Sequence, residues 1–101
     1  TPHLNYLPHL TAKAAVNFMG RAFALELASS GILVNTIAPG PTVKPPRMDQ
    51  ETWERNLIDK TPLKRESSSE EIADLILTLL RSETITGETI RVDSGNHLGK
   101  V

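Results

Sequence analysis

The feature that most constrains the fold is one long helical stretch that is apolar on almost every side. Residues 9–30 are rich in strong helix formers, and Gly31 follows as a C-terminal cap. The apolar residues fall on three sides: Ala14, Phe18 and Leu25; Val16, Phe23 and Leu27; Ala15, Met19 and Ala22. A helix of this kind must be covered on more than one side. We therefore expect these 101 residues to be part of a larger structure.

The remaining pattern predicts an α/β fold. Residues 32–38 form a short β-branched run between Gly31 and a Pro-Gly pair, which is typical of a strand buried on both faces. Residues 88–93 alternate into a last strand. Two strands joined by a helical crossover pair in parallel, and a parallel sheet needs cover on both faces. The alternative for a chain of this length is a small α+β domain that dimerises.

Capping signals predict two shorter helices between the strands, while residues 1–7 are expected to be loop. Asp49 is placed to cap a helix over about residues 50–60. Ser67 and Ser68 each stand three residues before a glutamate, which is a doubled capping box at the start of the helix over residues 70–82. Its apolar spacing predicts that the following side chains are buried: Ile72, Leu75, Ile76, Leu79 and Leu80.

Composition argues against several classes of function. A formal net charge of −1 gives no electrostatic reason to expect nucleic acid or an anionic membrane as a partner. The sequence has no cysteine, and His3, His9 and His97 are scattered without carboxylates at ligand spacing, so no metal site is expected. The absence of cysteine fits a reducing compartment, and we expect a cytoplasmic protein without a membrane span or signal peptide.

A narrow polar line runs along the first helix. His9 and Lys13 are followed by Asn17 and Arg21, each four residues after the last, so all four share one face. We expect His9 and Lys13 to face a cavity or an interface. Asn17 and Arg21 are expected on an exposed edge.

Residues 9–15 resemble the active-site helix of short-chain dehydrogenases/reductases, in which Tyr-x-x-[Ser/Ala]-Lys-[Ala/Gly]-[Ala/Gly] is expected. The resemblance continues in order through residues 24–27, 31–40, 61–65, 71–73, 85–87 and 92–95. It implies that residues 1–101 are the C-terminal part of a single NAD(P)-binding domain with a doubly wound, Rossmann-type parallel sheet. Two strands and three helices of that sheet are expected here.

The resemblance also implies an activity and a site. Such an enzyme transfers a hydride between NADP or NAD and a carbonyl substrate. Lys13 corresponds to the lysine that hydrogen-bonds the nicotinamide ribose beside the general acid. Pro39 and Gly40 correspond to the loop at the nicotinamide end of the cleft, where Thr42 and Val43 would meet the carboxamide. The Gly-rich cofactor turn of the family has no counterpart here, so this segment alone is not expected to bind NAD(P) tightly. A homodimer or homotetramer is expected through the first helix.

The sequence departs from the family at the catalytic tyrosine, whose place is taken by His9. The Lys13 cation disfavours an imidazolium and should lower the pKa of His9, leaving it neutral near neutral pH. A neutral imidazole is a poor proton donor but a possible base. His9 is therefore either a working substitute or the mark of a catalytically impaired, reductase-like binding or scaffold subunit. A third interpretation brings Tyr6 to the site from the preceding loop.

A second departure lies in the loop over residues 39–46, where Thr42 and the many prolines resemble pteridine reductases. This resemblance implies a pterin-like substrate. Met48 and Trp53 are then candidates to cover it, although both positions also suit ordinary packing of a short helix. Besides the enzyme and its rival from another class, the non-catalytic scaffold subunit, a third possibility is a free-standing helical interaction module.

Overall fold

The computed structural model describes residues 6–99, and for Tyr6 and His9 it describes the backbone only. Three helices and two strands are present, as the sequence predicts. Two helices carry a short extension: α1 continues as a 3-10 turn, Ala28–Ser30, and α2 as a π-helical turn, Glu54–Ile58. A further 3-10 turn, Asn96–Leu98, follows the last strand. The elements are α1, Tyr6–Leu27; β1, Thr36–Pro39; α2, Gln50–Trp53; α3, Ser69–Arg81; and β2, Thr89–Val92.

Helix α1 begins earlier than the sequence suggests. Tyr6 and Leu7 are helical, so the prediction of loop at these two residues is wrong, as is the placing of Tyr6 before the helix. Pro8 is tolerated because it lies in the first turn, where backbone N–H groups have no partner within the helix. At the other end the predicted cap is confirmed. Gly31 adopts a left-handed backbone with φ of 73°, and its N–H donates to the carbonyl of Ala28.

The two strands form a parallel pair. The N–H of Thr36 donates to the carbonyl of Glu88 at 2.8 Å, and the N–H of Gly40 donates to the carbonyl of Val92 at 2.9 Å. The second bond lies four residues after the first on both strands, so the strands run in the same direction.

Strand β1 is shorter and less buried than expected. The predicted strand over residues 32–38 starts only at Thr36, because Val34 bonds to the turn before β2 rather than to a strand. The prediction that this strand is buried on both faces is wrong. Strand β1 is half-buried, and its last residue is exposed. A strand with one neighbour among the described residues lacks the cover that a parallel sheet requires.

Helix α3 confirms an N-terminal cap at one of the two predicted serines. The side chain of Ser68 accepts the N–H of Glu71 at 3.0 Å, whereas Ser67 lies outside the helix and bonds elsewhere. The apolar face is only partly covered. Ile72, Leu75 and Leu79 are half-buried, but the predicted burial of Ile76 and Leu80 is wrong, the latter being 76% exposed.

The described residues divide into two compact units. The first comprises residues 6–36 and 83–89, and the second residues 37–82 and 90–99. Ala24 is the one buried hydrophobic residue described in the first unit, and Trp53 and Ile58 are those of the second. Helix α1 leaves large apolar side chains bare, with Leu25 81% exposed. None of the helices within residues 6–99 has both the length and the hydropathy needed to cross a membrane.

Candidate functional site

The first pair of predicted site residues lies on helix α1. Lys13 is exposed, and its ammonium group makes no hydrogen bond or ion pair with any described residue. His9 stands one turn earlier on the same helix, but its side chain lies outside the described residues. The spacing of four residues places both positions on one face. Because the His9 side chain is not described, the pairing of His9 with Lys13 in an active site stays a prediction.

Gly40 is required at its position by a close backbone contact. A Cβ atom on Gly40 would lie 2.7 Å from both the Cα and the Cβ of Asp93, which is closer than real Cβ contacts allow. The N–H of Gly40 also donates to the carbonyl of Val92, the residue before Asp93. Packing therefore fixes where the loop after β1 leaves the sheet, and only glycine permits this exit.

The loop that follows is fixed by hydrogen bonds up to Thr42. The hydroxyl of Thr42 donates to the carbonyl of Gly40 at 2.8 Å, and the N–H of Ser67 donates to the carbonyl of Pro41 at 2.9 Å. Beyond this point the pattern changes. Neither the N–H of Thr42 nor the N–H of Val43 donates to any described residue, and the Val43 side chain is exposed. This loop therefore presents consecutive backbone donors, those of Thr42 and Val43 among them, that no described residue occupies.

The two predicted substrate residues have different surroundings. Met48 is half-buried at the end of the proline-rich loop, where its carbonyl accepts a hydrogen bond from the Lys44 ammonium at 2.6 Å. Trp53 is 4% exposed, and its indole N–H donates to the Glu66 carboxylate at 2.8 Å. Trp53 thus has the surroundings of a packing residue, which was the alternative left open by the sequence. A substrate contact for either residue stays a prediction.

Two features of the second unit were not anticipated as functional. Ser67 is buried and bonds both to the loop after β1 and to β2. Asp93 accepts the N–H groups of Gly95 and His97, and its carboxylate lies 2.9 Å from the His97 ring nitrogen Nδ1. Asp93 lies four residues before His97, so the expectation that no carboxylate stands at ligand spacing from a histidine is wrong for this pair. For Ser67 the capping signal pointed to a different role.

The charge of Asp93 is favoured by this arrangement. Partial burial acts to raise its pKa, but the hydrogen bonds from the His97 side chain and backbone outweigh burial and hold the pKa below its usual value. Asp93 is therefore a charged anchor for the turn after β2.

A cavity of about 520 Å³ lies beside this turn. Its walls include Leu75 of α3 and Ile90 and Val92 of β2, together with Asp93 and His97. None of the residues predicted to bind cofactor or substrate lines it. Because its apolar walls belong to a helix and the strand beside it, we interpret this space as a packing gap rather than a substrate site.

A profile for a family described as enoyl-(acyl carrier protein) reductase matches residues 2–97. Glucose 1-dehydrogenase from Gluconobacter oxydans is 39% identical over 99 residues, which cover 93% of this chain and 37% of that protein. Pteridine reductase 1 from Leishmania tarentolae is 41% identical over 103 residues, covering 96% of this chain and 34% of that protein.

A solved structure agrees in fold. FolM alternative dihydrofolate reductase 1 from Brucella canis, complexed with NADP, superposes with a TM-score of 0.82 at 33% identity. The match covers 95% of this chain and 38% of that one. This chain thus spans little more than a third of the length of its relatives. The predicted α/β class with a Rossmann-type parallel sheet is confirmed, and the chain belongs to the short-chain dehydrogenase/reductase family.

Proposed function

We propose that this chain is the C-terminal part of an NAD(P)-dependent oxidoreductase that transfers a hydride between NAD(P)(H) and a carbonyl or pterin-like substrate. One observation on the loop after β1 carries the proposal. The N–H groups of Thr42 and Val43 have no partner among the described residues. The similarity to a dehydrogenase and to a pteridine reductase supports the reaction class. The relative crystallised with NADP supports the cofactor class, with NADP or NAD as the alternatives.

The residues present fit a nicotinamide cofactor. Its carboxamide carries a carbonyl acceptor, and the N–H groups of Thr42 and Val43, which have no partner within residues 6–99, are donors of the matching kind. The Lys13 ammonium, which has no partner among the side chains that the structure describes, would supply a donor for the ribose hydroxyls. Cleft loops at the carboxyl ends of parallel strands are where open α/β sheets bind ligands. When bound, the cofactor supplies or accepts the hydride, while these residues hold and orient it.

The proton is assigned to His9 in this proposal. A hydride leaving an alcohol carbon must be accompanied by loss of the hydroxyl proton, which a neutral imidazole can accept. Reduction needs the reverse transfer, for which a neutral imidazole is poorly suited. We therefore expect oxidation of the alcohol to be favoured over reduction of the carbonyl. The alternative is a catalytically impaired binding or scaffold subunit. His9 also favours this alternative, because it stands where the family has its tyrosine.

The test uses the full protein and its His9→Tyr and Lys13→Met variants. Binding of NADH and NADPH is measured by fluorescence titration. Turnover is measured with three substrates: an alcohol, a ketone and a dihydropterin. If His9 is a working base, His9→Tyr leaves alcohol oxidation unchanged or lowers it, whereas Lys13→Met lowers kcat/KM about 100-fold or more.

Two results would contradict parts of this proposal. A gain of about 100-fold in the His9→Tyr variant, with cofactor affinity unchanged, would establish the impaired subunit instead. Failure of the unmodified protein to bind either nicotinamide cofactor would reject the oxidoreductase altogether. A preference for the dihydropterin over the simple ketone supports the pterin-like substrate class.

A further inference from the structure

We infer that Ser67 is a positioning residue for the cofactor loop, because it holds the start of that loop against β2 and leaves Thr42 and Val43 free to meet the nicotinamide. The inference rests on the proposed function, since it treats the loop after β1 as cofactor-binding. No role for Ser67 follows from its place in the sequence, where it only resembles a second capping serine.

Ser67 bonds through both of its donors. It is 4% exposed and lies just before helix α3. Its backbone N–H donates to the carbonyl of Pro41 at 2.9 Å, and its hydroxyl donates to the carbonyl of Val92. The same Val92 carbonyl accepts the N–H of Gly40 at 2.9 Å. One buried residue therefore joins the first residues of the loop, through its backbone N–H, to the strand on which they pack, through its hydroxyl.

These bonds use every polar backbone group of the loop before Thr42. The N–H of Gly40 is bound by Val92, its carbonyl by the Thr42 hydroxyl, and the carbonyl of Pro41 by Ser67. Pro41 has no N–H of its own. The first free donors in the described part of the loop are therefore those of Thr42 and Val43. Ser67 lies at the boundary between backbone held by the protein and backbone left for a ligand.

The hydroxyl of Ser67 is not needed to start the adjacent helix. Ser68 already caps α3 by accepting the N–H of Glu71. The two neighbouring serines thus separate two roles, since one caps the helix and the other fixes the loop. Ser68→Ala is the matched control for Ser67→Ala, because both remove one hydroxyl that makes one hydrogen bond at the same end of α3.

The experiment compares the full protein with its Ser67→Ala and Ser68→Ala variants. Two ligands are titrated: NADPH, which carries the nicotinamide, and adenosine 2′,5′-bisphosphate, which lacks it. If the unmodified protein prefers NADH, the pair is NADH and ADP. Thermal unfolding is recorded for each variant.

We expect Ser67→Ala to weaken NADPH binding about fivefold, the equivalent of one hydrogen bond, and to raise the KM for NADPH. Binding of adenosine 2′,5′-bisphosphate should not change, because that ligand has no group to place against Thr42 or Val43. Ser68→Ala should lower the unfolding temperature and leave both affinities unchanged. If Ser67→Ala does not fold, Ser67→Cys keeps the volume with a weak thiol donor and should show the same selective loss.

Three results would overturn the inference. An equal loss of affinity for both ligands in the Ser67 variant would show a general structural role. Unchanged NADPH binding would show that the hydroxyl does not position the loop. If the unmodified protein binds adenosine 2′,5′-bisphosphate and NADPH equally well, the nicotinamide gains nothing from this loop. By contrast, failure to bind either ligand would reject the proposed function itself.

Discussion

At the scale of single residues, the backbone of Lys64 stands out. Its φ of 54° lies in the left-handed region, where a Cβ atom crowds the backbone of an L-residue. Its N–H closes a tight turn by donating to the carbonyl of Thr61, and its side chain is exposed. The lysine side chain therefore contributes no packing that would offset this strain. Gly40 shows the opposite case, in which the sequence already supplies the residue that the geometry requires.

We expect Lys64→Gly to raise the free energy of unfolding by about 0.5–1 kcal/mol. Relief of left-handed strain is worth about 1–2 kcal/mol and is partly offset by the greater freedom of glycine in the unfolded chain. The control is Lys60→Gly, an exposed turn residue whose φ is not positive, which should lower stability by about 0.5–1 kcal/mol. Urea unfolding of the full protein measures both. Equal destabilisation by the two changes would contradict the strain at Lys64.

At the scale of elements, the sequence predicts a hydrogen bond correctly where the two bonded groups lie close together along the chain. The Gly31 cap, the Asp49 cap and the Ser68 cap all join groups within four residues, and all three are confirmed. The start of β1 and the role of Ser67 were not predicted. Both depend on β2 or the turn before it, more than 20 residues away along the chain.

The turn after β2 is an element held by one charge. Asp93 accepts two backbone N–H groups and the His97 ring, while its Cα and Cβ close against Gly40. The pKa of Asp93 is below its usual value in the fold, where burial is outweighed by the His97 hydrogen bonds. Stability from a depressed carboxylate pKa is present above the unfolded value of about 3.9, and is lost as pH falls through the folded value.

We expect Asp93→Asn to lower the free energy of unfolding by about 1–2 kcal/mol at pH 7, because a neutral acceptor replaces a charged one. The difference from the unmodified protein should shrink as pH falls below about 4. Asp59→Asn is the control, since the Asp59 carboxylate makes no hydrogen bond with the described residues. Urea unfolding across this pH range is the measurement. A difference that stays constant with pH would show that the charge of Asp93 does not hold the turn.

At the scale of the whole molecule, the described residues leave many large apolar side chains exposed. Leu25 on α1 and Leu80 on α3 are almost fully exposed, and the described sheet has only two strands. An isolated pair of strands is marginally stable at best in water. The matched parts make up only 34–38% of these relatives. We infer that the remaining cover comes from other parts of a full subunit or from a second copy.

We therefore expect residues 1–101 expressed alone to unfold without a cooperative transition. Bare apolar faces should also bind a hydrophobic dye such as ANS strongly. Circular dichroism during urea titration and dye fluorescence measure the two properties, and the full protein is the control. A sharp transition with little dye binding would support the free-standing interaction module instead.

The sequence by itself determined the class of fold, the helices and their caps. Apolar periodicity and capping pairs act within one or two turns, where their effect does not depend on the rest of the chain. Only the tertiary structure decided that Gly40 must close against Asp93 and that Ser67 bonds to Pro41 and Val92. It also decided which donors of the loop after β1 have no partner in the described part of the chain. These features depend on bringing distant segments together, and no local pattern specifies which atoms then meet.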